Sequence, residues 1–138
     1  MSLFSCSATR PANLGIKDGR LAPCPSTPNC VSSDATDSAH AIAAFVLVAP
    51  PAAGWRALRA ALESLPRTKI ITVTEDYLHA ECSSAIFGFV DDLELQLRPS
   101  QNSIAVRSAA RLGRSDFGVN RKRVENLRLL LQRQSAIR

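Results

Sequence analysis

Apolar and polar residues alternate in several stretches of this chain and recur at helical spacing in two others. In residues 77–83, Leu78, Ala80 and Cys82 fall on one face of an extended strand, with His79, Glu81 and Ser83 on the other. Residues 92–98 repeat the pattern most cleanly, with Leu93, Leu95 and Leu97 inward and Asp92, Glu94, Gln96 and Arg98 outward. Residues 69–75 place Ile71 and Val73 together. After the turn-forming run Pro99-Ser100-Gln101-Asn102, Ile104 and Val106 point inward and Arg107 outward. The β-branched, apolar residues 42–48 predict a first strand, stopped by Pro50-Pro51. Trp55, Leu58, Leu62 and Leu65 make one stripe of a helix that opens on Pro51 and that Pro66 ends. Val124, Leu127, Leu130 and Leu131 mark a second helix over residues 119–134.

The resulting order, β-α-β-β-β-β-α, predicts an α+β fold. We expect a two-layer sandwich, an antiparallel five-stranded sheet with two helices on one face and its charged face turned to water. Residues 1–40 lack periodicity and hold four of the eight prolines, so they read as an irregular N-terminal arm before a single α+β domain at 41–138. A chain of 138 residues, 46% of them hydrophobic, can bury one core and is not of disordered composition. The longest apolar run, residues 41–51, is about half the length of a bilayer-spanning helix. The opening MSLFSCSATRP has neither the basic nor the apolar region of a secretory signal, so the chain as written is expected in the cytoplasm. Leu3-Phe4-Ser5-Cys6 looks like the end of a lipoprotein box, which keeps a cell-envelope location open if a leader has been removed.

Charge is unevenly distributed. Up to Leu97 there are 7 Lys/Arg against 10 Asp/Glu, and from Arg98 onward 10 against 2. An acidic middle beside a basic end suggests internal pairing as readily as an anionic partner. Aromatic residues are 5% of the chain and none interleaves with the basic C-terminal run, so nucleic-acid binding is not expected. The candidate ligand site is the polar sheet face, Glu81, Asp92, Glu94 and Arg107, joined to Arg111, Ser115, Asp116, Asn120 and Arg121 ahead of the last helix. Its partner would be a small anion or another protein. Structural roles compete: Asp116 or Ser115 can cap that helix, and Arg107 can pair with Glu94 or Glu81 across the sheet. The working expectation is a non-catalytic binding or interaction module. The alternatives are an enzyme using Glu81 or Asp92 as a base, or a structural envelope protein. No nucleophile–base order, phosphate loop or dinucleotide fingerprint is present, and no cofactor is expected.

Cys24-Pro25-Ser26-Thr27-Pro28-Asn29-Cys30 is the most distinctive local run. Its prolines bend the chain enough for a disulfide. Zinc would need Cys82, Cys6 or His40 as well, and the spacing fits no zinc motif. Asp37 with His40, and Glu81 with His79, read as hydrogen-bonded structural pairs. The apolar connection Ile86-Phe87-Gly88-Phe89-Val90 either closes the core or meets a partner or membrane, and closure is the simpler reading.

CPSTPNCVSS, YLHAE, FGFVDDLE and RSAARLGRSDFGVNRKRVE together resemble a bacterial and plastid family known as domain of unknown function 1499, over about residues 10–131. The resemblance implies relatives with export or lipoprotein leaders, hence an envelope location with Cys24 and Cys30 oxidised. It implies no reaction, substrate or cofactor. Where the family pattern has RSASR-x-G-Y-S-D, this chain has Ala110 for a serine and Arg114 for a tyrosine.

Overall fold

The computed structural model describes residues 9–85 and 88–138. Leu3-Phe4-Ser5-Cys6, and Ile86 and Phe87 of the apolar connection, lie outside the described residues. The elements are β1 (Cys30–Ser32), β2 (Phe45–Val46), α1 (Pro51–Ser64), β3 (Thr68–Val73), β4 (Tyr77–Ser83), β5 (Val90–Arg98), β6 (Ser103–Ala110) and α2 (Val119–Arg133). They form an α+β fold around one antiparallel sheet of order β1-β6-β5-β4-β3.

The sheet has six strands rather than five, because two short ones share the outer edge of β6. Cys30–Ser32 pairs with residues 107–109, and Phe45–Val46 with residues 103–104. The strand expected over residues 42–48 therefore shrinks to two residues. Beyond it the chain turns to the C-terminal tail: Leu47 bridges Ile137, and the Arg138 amide donates to the Val46 carbonyl at 2.9 Å.

Both helices lie on one face, as the pattern predicts. Pro51 opens α1, and its Trp55, Leu58, Ala61 and Leu62 are buried with Val124, Leu127 and Leu131 of α2 against Leu78, Leu93, Leu95, Ile104 and Val106. Burying each large side chain contributes about 1.5–3 kcal/mol. Gly54 is needed for close approach, since a Cβ there would stand 2.4 Å from Leu47 Cδ2. One register expectation is corrected. A bulge between Ile70 and Thr72 turns Ile70, not Ile71, onto the core with Val73.

The larger correction concerns the opposite face, which was expected to be wet. His79, Asp92, Glu94 and Arg107 are 3%, 1%, 0% and 4% exposed. The arm lies across them. Ile16 and Leu21 pack with Tyr77 and Ala105, Gly15 and Gly19 contact Glu94 and Gln96, and Arg10 reaches Glu81. Alternation reports which side a residue faces, and says nothing about an aperiodic segment lying on that side.

Candidate functional site

Strands β4, β5 and β6 set the charged side chains in register. Glu81 lies opposite Asp92, His79 opposite Glu94, and Glu94 opposite Arg107. Arg111, just past the end of β6, folds back over the same face. Its Nε donates to Asp92 Oδ2 at 2.8 Å, and its Nη2 donates to Asp92 Oδ1 at 2.8 Å and Glu81 Oε2 at 2.6 Å. His79 Nε2 meets Asp92 Oδ1 at 2.7 Å, and Arg10 donates to Glu81 at 2.9 Å. Burial pushes the Asp92 and Glu81 carboxyls up, but the Arg111 bonds, helped by His79 and Arg10 respectively, outweigh it and hold both below the usual range. The hydrogen bonds that Arg111 donates to Asp92 lock it in its charged form.

A second, looser group lies beside the first. Glu94 Oε2 accepts from the Tyr77 hydroxyl at 2.6 Å and the Gly15 amide at 2.8 Å. Burial and then Glu94 drive the Tyr77 phenol well upward, so it stays a donor. Arg107 stands 3.5 Å from Glu94 Oε1 and donates to the Pro23 carbonyl at 3.2 Å. Glu94 Oε1 and Arg107 Nε, both buried, have no hydrogen-bond partner among the described residues. Orphaned buried groups of this kind cost roughly 1–3 kcal/mol each. Beside Arg107 a cleft of about 360 Å³ opens between the arm (Pro11, Asn13, Pro23, Cys24, Pro25) and the sheet (Asp92, Arg107, Ala109, Ala110, Arg111).

The disulfide forms one wall of this cleft. Cys24 and Cys30 are bonded, with Cα atoms 5.7 Å apart. The Asn29 side chain within the loop donates to the Gly113 carbonyl at 2.9 Å, and His40 holds the Thr27 carbonyl at 2.9 Å and the Asp37 carboxylate. Cys82 is a free, buried thiol, pushed up by that burial.

Five of the nine residues singled out from the sequence, Glu81, Asp92, Glu94, Arg107 and Arg111, converge on this face. The other four do not. Asp116 caps α2 by accepting from the Gly118 and Asn120 amides at 2.9 and 3.0 Å and from Asn120 Nδ2 at 2.8 Å. Asn120, fully buried on the helix side, accepts from Ser108 Oγ at 2.6 Å. Ser115 Oγ accepts from the Phe117 amide at 3.3 Å, and Arg121 reaches the Ala41 carbonyl at 2.8 Å. Sequence reasoning missed Tyr77, although it shares the phase of His79 and Glu81. It also missed Arg10 and Pro23, for which the arm offers no local signal.

A family described as "Protein of unknown function (DUF1499)" matches residues 20–131. The chain belongs to this family. Among the curated proteins and the solved structures there is no match. The stretch typical of DUF1499 holds the disulfide, both charge groups and most of α2, whereas the covering residues Arg10, Gly15 and Ile16 precede it. Among the described residues, His79, Glu81 and Asp92 bring candidate metal-ligand atoms within 4.8 Å of one another. Arg111 already holds both Asp92 oxygens and, with Arg10, Glu81 Oε2, so a cation there would compete with two guanidinium groups. No described helix is long and apolar enough to cross a membrane.

Proposed function

We propose that this DUF1499 chain is a non-catalytic binding module that takes a small anion, of the carboxylate or phosphate class, in the arm–sheet cleft. One observation carries the reading: Arg107, 4% exposed and lining the cleft, has an Nε–H with no acceptor among the described residues. An anionic oxygen would satisfy that donor in a charge-assisted bond, with Arg111 beside it. The competing enzymatic use of Glu81 or Asp92 as a base finds no such support, because Arg111 bonds to both carboxylates and holds them below the usual range, which leaves them poor proton acceptors near neutral pH. As for compartment, the bond between Cys24 and Cys30 favours an oxidising one, the cell envelope, over the cytoplasm.

Calorimetric titration with phosphate, citrate and succinate tests the cleft. At least one should bind saturably, and Arg107→Gln should weaken it about ten-fold or more by removing a charge-assisted bond. Arg107→Lys, which keeps the charge without the fork, should weaken it less. Equal binding to all three proteins, each shown to be folded, would overturn the assignment.

A further inference from the structure

One end of the molecule carries exposed apolar side chains and cations that, among the described residues, stand outside any ion pair. Ser83 lies opposite Val90, Asp91 opposite Ala110, and Cys82 opposite Thr68. The β4–β5 connection, the β6–α2 loop and the turn into β3 therefore all leave the sheet at the same end. Four of the seven large hydrophobic residues exposed among those described are found there: Phe89, Leu112, Phe117 and Val119. Phe117 is 96% exposed and sits at φ 54°, a left-handed conformation that a bulky side chain adopts at a cost. It receives no packing in return from the fold.

The charges at this end are one-sided. Arg67, Arg114 and Lys122 form none of the ion pairs found among the described residues. The nearby carboxylates are engaged: Asp116 caps α2, Asp91 pairs with Arg123, and Glu63 with Arg59. A groove of about 480 Å³ runs from this end between α2 and the turn into β3. Val119, Lys122 and Arg67 are among its lining residues, and no acidic residue is. The opposite end is mixed in charge, with exposed Glu75 and Asp76 alongside exposed Arg133 and Arg138. We infer that this end docks on the surface of an anionic lipid bilayer, with Phe117, Leu112 and Val119 entering the interface and Arg67, Arg114 and Lys122 meeting headgroup phosphates. Leu112 and Phe117 on the β6–α2 connection, Val119 at the start of α2 and Phe89 on the neighbouring β4–β5 connection are apolar tips with cations on the same end, which fit a deformable lipid surface better than a flat patch on a protein. This surface is distinct from the arm–sheet cleft.

The test uses the full chain and sedimentation with vesicles of phosphatidylcholine alone or with one-quarter phosphatidylglycerol. Binding should require phosphatidylglycerol and weaken with added salt. Phe117→Asn suits the left-handed backbone, so it should keep the fold while lowering vesicle affinity about ten-fold. Arg114→Gln and Lys122→Gln should each lower it about five-fold. In Phe117→Trp, emission should shift to the blue on vesicle addition and be quenched by brominated acyl chains. Indifference of binding to phosphatidylglycerol or to Phe117→Asn would overturn the inference. So would binding to polyglutamate but not to vesicles, which would assign the surface to an acidic protein.

Discussion

The two faces of the sheet are equally dry and built on opposite principles. Asp91 and Asp92, adjacent in β5, show the contrast most compactly. Asp91 points to the helix side, where burial pushes its carboxyl up more than its Arg123 partner at 2.8 Å pulls it down. Asp92 points under the arm, where Arg111 and His79 hold it down despite its own burial. On the helix side, stability comes from apolar area, and a polar group is a burden. On the arm side it comes from mutual neutralisation: Arg10, Arg107 and Arg111 against Glu81, Asp92 and Glu94. Such a layer is held by geometry and fails when one member is removed, since the survivors are left charged and buried.

The sharpest way to break the comparison is therefore to delete one charge. Arg111→Ala should destabilise the protein by about 3–5 kcal/mol in urea unfolding, because it strands Asp92 and Glu81. Leu95→Ala, at a site with 0% exposure on the helix side, should cost about 2–5 kcal/mol by opening a cavity, with no dependence on pH. Equal pH profiles for the two variants would erase the distinction.

Acid titration sharpens it next. Asp92 and Glu81 have folded pKa values below those of the unfolded chain, so between the two values the unfolded state binds more protons and stability is lost as pH drops. Their contribution should be complete above the ordinary carboxylate range and vanish as pH drops through the depressed values. Asp91, shifted upward, works the other way, so Asp91→Asn should cost less near neutral pH than Asp92→Asn. Urea midpoints across the acid range would read both slopes.

The smallest effect concerns the clamp. Reducing Cys24–Cys30 opens a loop of sequence separation 6 and should lower stability by about 2 kcal/mol at most. If the cleft wall depends on it, anion affinity should fall in parallel. Thiol counting before and after denaturation reports which form the cell makes.

Much of this was legible because periodicity is a strong signal for covered faces. The stripe Trp55, Leu58, Leu62 and the alternation through Leu93, Leu95 and Leu97 placed both helices and the helix-facing side of the sheet correctly. Three features escaped for physical reasons. The bulge at residues 70–72 shifts phase without changing composition. A three-residue strand such as Cys30–Ser32 is too short to show a period. The arm is fixed over the sheet by single contacts from Arg10, Gly15, Gly19 and Pro23, widely separated partners that no local pattern encodes. Glu81, Asp92, Glu94 and Arg107 share the face that alternation gave them and Arg111 joins them from the loop after β6, while Asp116 and Asn120 took up the capping and bracing that a helix start next to a strand requires.

Arg107 is where the whole account is most exposed to test, and its side-chain Nε–H signal can be followed by NMR in the intact protein. The account predicts a slowly exchanging proton, shielded by the arm, that moves saturably as phosphate or a small carboxylate is added. A signal lost to rapid exchange with water, or one that no anion displaces, would contradict a covered charged face holding an anion cleft.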